Sequence, residues 1–204
     1  MFLFDNPTAL INYIFCFVIS VVAFIYYKKN KEQIFFYISF AFYFLGFTHF
    51  AILTETYQKY FLILLILRIC ANNFMVIGLL KVIQKKFIIP TLINFALASI
   101  AIYFYYLNVI SQSLLISSIN LYYYIIILLL SFLLYKKQKS KIALYLIMSY
   151  TFFAIAAIAS LFNINIDLTR IIIWVVALGY SIVFIMFMKL LITDALKLIK
   201  QKFK

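Results

Sequence analysis

The sequence predicts an all-α membrane protein, a seven-transmembrane-helix bundle with its N-terminus outside and its C-terminus cytoplasmic. Three observations lead there. The 204-residue chain is 68% hydrophobic and 11% charged, with a mean hydropathy of +1.14, and a soluble domain of this size has no interior large enough to hide so much apolar surface. Its apolar stretches run unbroken for about 20 residues, the length of helix that crosses ~30 Å of hydrocarbon, instead of alternating as barrel strands do. Only 3 Gly and 2 Pro occur in the whole chain, so little interrupts those stretches.

Taken in order, the spans fall at about 7–27, 34–53, 60–80, 87–107, 114–135, 142–162 and 170–191. Together they make one transmembrane domain over residues 1–204, ending in a short basic tail at 192–204. Pro7 suits the first turn of span one, where a missing N–H costs nothing, and Pro90 sits similarly near the start of span four. Short connections predict that consecutive spans are antiparallel neighbours. Spans one to three and five to seven allow a 3+1+3 arrangement, but no convincing repeat or shared motif is expected to support it.

Charge placement gives the orientation. Of the 18 basic residues, all but Lys59, Arg68 and Arg170 follow or end spans one, three, five and seven, and the positive-inside rule makes that side cytoplasmic. Asp5, Glu55 and Asp167 fall on the opposite side, whereas Glu32 and Asp194 lie among the lysines. The net charge of +13 does not indicate nucleic acid, because the lysines cluster between apolar spans and not along one polar helical face. Anionic lipid at the cytoplasmic surface accounts for it more simply. Cys16 and Cys70 both fall inside spans and read as small buried hydrophobes, with no CxxC spacing. The first residues carry no basic stretch of the kind that opens a cleavable signal peptide.

The candidate site gathers around the hairpin of spans two and three. His49, the 1 histidine of the chain, lies near the outer end of span two, and Arg68 lies inside span three at a similar depth. Asn72 follows Arg68 by four residues on the same helical face. A charge in hydrocarbon costs at least ~2.5–3.5 kcal/mol, so an intramembrane arginine points to a site by default. The alternative is that Arg68 snorkels to Glu55 or to water. With Glu55 in the loop above, and Asp167, Arg170 and Trp174 at the outer mouth of span seven, an outward-facing ligand pocket is expected if span seven packs near the hairpin. Asn12, Cys16, Asn120 and Tyr124 mark milder polar stripes, read as helix–helix glue.

Other chemistries fit poorly, and no catalytic residue, metal ligand or cofactor is expected. One histidine cannot supply a bis-histidine haem, and Lys189 lies too near the end of span seven to carry a retinal. Gly179-Tyr180-Ser181 lacks the closing glycine and histidine partner of an intramembrane serine protease. Neither HExxH nor a phosphate-binding loop occurs, and there is no mid-membrane carboxylate for proton-coupled pumping.

The run Phe44-Leu45-Gly46-Phe47-Thr48-His49-Phe50, with Gly-x-x-His at the end of span two, and Leu67-Arg68-Ile69 in span three resemble the seven-transmembrane sensor-type modules of prokaryotic signalling proteins. The resemblance implies a cell-membrane sensor or receptor, multi-pass in a prokaryotic cytoplasmic membrane. It would bind a small molecule or lipid near His49 and Arg68 and signal through span seven. The residues after span seven, 192–204, are too few for an output domain, so a separate cytoplasmic or membrane protein partner is expected. The rival readings are a small transporter or membrane subunit of a larger complex and, last, a lipid-modifying enzyme using His49 and Arg68.

Overall fold

The computed structural model describes residues 7–54, 56, 58–83, 88–107, 110–162 and 166–202, with side chains placed for all of these except 88–89, 166–170, 173 and 194–202. Glu55, with Asp5, Lys85 and Lys86, therefore lies outside the described residues. Among those described the chain forms seven helices: α1 (Pro7–Asn30), α2 (Gln33–Leu53), α3 (Phe61–Ile83), α4 (Ile88–Tyr106), α5 (Gln112–Gln138), α6 (Lys141–Leu161) and α7 (Ile166–Lys202). Six contain segments long and apolar enough to cross a membrane, and α4 is a shorter apolar helix. This is the build of a multi-pass helical membrane protein.

Packing makes a closed ring. α1 lies against α2, α2 against α3, α3 against α5, α5 against α6, α6 against α7, and α7 against α1, while α4 leans on α3 and α5 from outside. The perimeter is apolar: Ile63, Leu92, Leu129, Phe132 and Ile185 are each more than half exposed, which water would penalise and hydrocarbon does not. Polar side chains point inward instead. Asn12, Thr48, His49, Asn72, Asn73, Asn120 and Ser149 are all buried.

The ring divides into two three-helix halves that match in order and in burial, where no convincing repeat is expected from the sequence. A shift of 108 residues carries Gln33–Leu53 onto Lys141–Leu161 without a gap. Every buried residue of α6, and every one of the described side chains of α7 that is buried, then falls on a buried residue of α2 or α3. The neighbour pairs of α1, α2 and α3 likewise fall on those of α5, α6 and α7, as a twofold axis along the ring requires. The shared motif is Tyr27-Lys28-Lys29-Asn30-Lys31 against Tyr135-Lys136-Lys137-Gln138-Lys139. In both copies the last lysine takes a left-handed backbone, φ 60° at Lys31 and φ 51° at Lys139. Each donates its N–H to the tyrosine carbonyl four residues back at 2.8 Å, an αL helix stop usually given to glycine.

The tail expected at 192–204 continues α7 as helix to Lys202, because no Gly or Pro intervenes after the apolar segment. The interior of the repeats is stitched by hydrogen bonds between helices. Ser149 Oγ donates to the Gly179 carbonyl at 2.7 Å. Asn73 Nδ2 donates to Tyr123 Oη at 2.7 Å, and Tyr122 Oη donates to Asn94 Oδ1 at 2.8 Å, holding α4 to α5.

Two glycines differ in what they permit. A Cβ on Gly78 would come within 2.8 Å of Tyr37 Cβ, whereas one on Gly46 would meet Cys16 Cβ at an ordinary 3.6 Å. Because the Tyr37 atom is the one nearest its backbone, relief at Gly78 requires α2 and α3 to move apart. Gly78→Ala is expected to destabilise the bundle by roughly 1–3 kcal/mol through overpacking. Gly46→Ala, whose twin is already Ala154, should be neutral or slightly stabilising. Thermal unfolding of the two variants in detergent measures the contrast.

Candidate functional site

At the ring's interior α2 meets α7 through a polar contact. His49 Nε2 lies 3.0 Å from Tyr180 Oη, with the two rings edge to face at 5.4 Å. His49 is placed by the inward face of α2 that also buries Leu45 and Gly46, one turn before it. Tyr180 is placed by α7, on the face that buries Ala177 and Val183. Cys16 of α1, fully buried, lies beside the same tyrosine. The tyrosine thus stands where α1, α2 and α7 come together.

Arg68 of α3 stands within electrostatic range of His49, Cys16, Tyr124 and Tyr180. Aromatic rings close the remaining side. Phe153 lies 4.8 Å from Tyr180 and 5.5 Å from Tyr124, and Tyr150 lies 5.7 Å from Tyr124. The centre therefore draws on α1, α2, α3, α5, α6 and α7, with one cation set among phenols, a thiol and an imidazole.

Near this centre are amides that the fold leaves unmet. Asn72 is 1% exposed, and among the described residues neither its Oδ1 nor its Nδ2 has a hydrogen-bond partner. Oδ1 of Asn12 and of Asn120 are likewise buried and unpartnered. Helical spacing sets Asn12 one turn from Cys16, Asn120 one turn from Tyr124 and Asn72 one turn from Arg68, each pair on one face. Asn12 and Asn120 are also twins under the repeat, so the ring presents the same amide from both halves. A buried amide without a partner costs a few kcal/mol, and such groups ordinarily mark where water or a ligand binds.

Of the expected site residues, the structure brings together His49 and Arg68, with Asn72 one turn away. It turns Trp174 outward, 55% exposed on the flank of α7. Tyr180, six residues further on and deeper in the bundle, is a ring of α7 that is buried instead. Asp167 and Arg170 lie in the first turns of α7, and their side chains, like Glu55, are outside the described residues. Tyr180, Tyr124, Tyr150 and Cys16 were not read as site residues. The i, i+4 pairs Asn12/Cys16 and Asn120/Tyr124 carried a signal for two of them.

Compared with family models, curated proteins and solved structures, the chain matches none. The repeat supplies an internal comparison instead. The twin of Arg68 is Val176 and the twin of His49 is Ala157, each matching its counterpart as half-buried or buried. The three-helix unit packs in its second copy with neither an arginine nor a histidine at these positions.

The bond between His49 and Tyr180 is measurable as a coupling. In a double-mutant cycle of His49→Ala and Tyr180→Phe, a coupling of about 0.5–1.5 kcal/mol is expected, the range of interhelical hydrogen bonds in membrane bundles. Unfolding free energies of the four proteins in one detergent give the value. Strict additivity would mean that the two side chains are only neighbours.

Proposed function

We propose that this chain is a membrane receptor of the sensor type, binding a small molecule or lipid through Arg68 and transmitting its presence through α7. The observation that carries the reading is the 3.0 Å contact from His49 to Tyr180, which links the polar centre to the helix that runs on to Lys202. A guanidinium fork holds a carboxylate, phosphate or carbonyl group best. The unmet amides of Asn12, Asn72 and Asn120 would complete its polar shell, and the rings of Tyr124 and Phe153 its apolar part. A ligand that competes for the Tyr180 hydroxyl would alter how α7 seats against α1 and α6.

The proposed setting is a prokaryotic cytoplasmic membrane crossed seven times. The lysine clusters at the ends of α1, α3, α5 and α7 support the cytoplasmic assignment of that end by the positive-inside rule, leaving the N-terminus outside. A protein partner would receive the signal at the basic end. The parallel repeats favour a second reading, a small transporter, because many transporters place their substrate between repeats related along the membrane normal.

Native mass spectrometry of the protein released gently from its own membrane tests the receptor. Wild type is expected to retain a small molecule bearing an anionic or carbonyl group. Arg68→Ala should lose it while keeping its thermal transition. Tyr180→Phe should retain it, yet hydrogen exchange along α7 should no longer change when the molecule is stripped. Unfolding of Arg68→Ala would make the arginine structural and end this reading. Uptake of the identified molecule by sealed proteoliposomes would replace it with the transporter.

A further inference from the structure

A groove runs along the membrane-facing seam of α1 and α2. Its upper section, about 280 Å³, is walled by Tyr13, Phe17, Tyr43, Phe47 and Phe50 over Gly46. Its lower section, about 440 Å³, continues from Phe17 and Tyr43 past Ser20 and Ser39 to Phe24 and Ile25. Small residues make the depth. Ser20 and Ser39 face each other across the seam with their hydroxyls 3.5 Å apart. At the lower end Lys28 sets its ammonium 5.3 Å from the centre of the Phe24 ring.

The repeat identifies what is particular to this seam. At the twin seam of α5 and α6, Ser20 is replaced by Leu128, Ser39 by Ile147 and Gly46 by Ala154. Larger side chains thus occupy the positions that form the floor. The upper aromatic walls have gone too, with Ile125 for Phe17, Thr151 for Tyr43 and Ile155 for Phe47, while Phe24 is kept as Phe132. The lysine is kept as Lys136. Both seams therefore carry the lysine and the phenylalanine one turn before it, and only the first carries the small floor and the upper rings that make this groove.

We infer that the α1–α2 seam is a binding site for one anionic phospholipid of the leaflet at the basic end, its phosphate on Lys28 and an acyl chain in the groove. The dimensions agree. From Lys28 up to Phe17 the helix rises about 16 Å at 1.5 Å per residue, close to half of the ~30 Å hydrocarbon thickness. The charge agrees as well, since an ammonium seated at the end of an apolar slot selects a phosphate with net negative charge over a zwitterion. Behind Gly46 in the floor of the slot lies the buried Cys16, so the lipid would lie one helix layer from the ring's polar centre.

The experiment uses the full chain in nanodiscs of equal phosphatidylglycerol and phosphatidylcholine, followed by native mass spectrometry of what survives mild delipidation. One phosphatidylglycerol per chain is expected to persist. Val21→Trp, which fills the slot from its exposed edge, should abolish that retention, while the twin substitution Leu129→Trp should leave it intact. Lys28→Gln should weaken retention about fivefold, the size of one basic residue at a membrane surface, and Lys136→Gln should not. Equal retention of phosphatidylcholine, or equal losses in Lys28→Gln and Lys136→Gln, would overturn the site. So would retention by a folded Val21→Trp. If Val21→Trp does not fold, the lysine pair decides alone.

Discussion

A polar group in hydrocarbon has no solvent to fall back on, and this bundle is arranged around that constraint. Asn12, Asn72, Asn120, Thr48, Ser149 and His49 are buried within it, and Ile63, Leu92, Leu129, Phe132 and Ile185 are exposed on its perimeter. Tyr180 matters because it sets its hydroxyl beside the His49 imidazole and its ring next to the buried Cys16. Each partner lies on a different helix, so meeting the polar requirement also fixes how α1, α2 and α7 sit together. The same logic works at the edge, where Tyr122 and Asn94 hold α4 to the ring.

The duplicated unit separates what the architecture requires from what has been added to it. Positions that keep their character in both copies, such as Ile19 and Ile127 or Phe42 and Tyr150, are fully buried wall. Positions where one copy carries a costly side chain and the other an aliphatic one are different in kind. Arg68 against Val176 and His49 against Ala157 fall in this second group, and the fold exists without them in its other half. The Asn12 and Asn120 pair is a third kind, polar in both copies and left with acceptors unmet in both.

Much of this was legible in the sequence because hydrocarbon allows so few solutions. Runs of about twenty apolar residues can only become helices there, and α2 and α6 lie close to the expected boundaries. His49 and Arg68 stood out because they are expensive. The faces of α7 were not legible, since its apolar residues surround it on all sides and nothing in the pattern favours Tyr180 over Trp174 as the inward ring. The repeat was written in Tyr27–Lys31 and Tyr135–Lys139, five residues apiece at the ends of helices. It was hidden between them because the two copies share burial far more than identity. Tail helicity past Thr193 followed from continuity of the chain, with no breaker to stop it.

The fourth helix has a consequence for how such a chain is assembled. A unit of three helices enters at one end of the ring and leaves at the other, so a second unit joined directly to the first would be delivered upside down. α4, which leans on α3 and α5 without completing the ring, carries the chain back before the second unit begins. For a machinery that threads the polypeptide in order, it is a reorienting segment, and it is what puts Lys136 and Lys137 on the same face as Lys28 and Lys29. Without that one peripheral helix the second half would begin at the opposite end of the ring from the first.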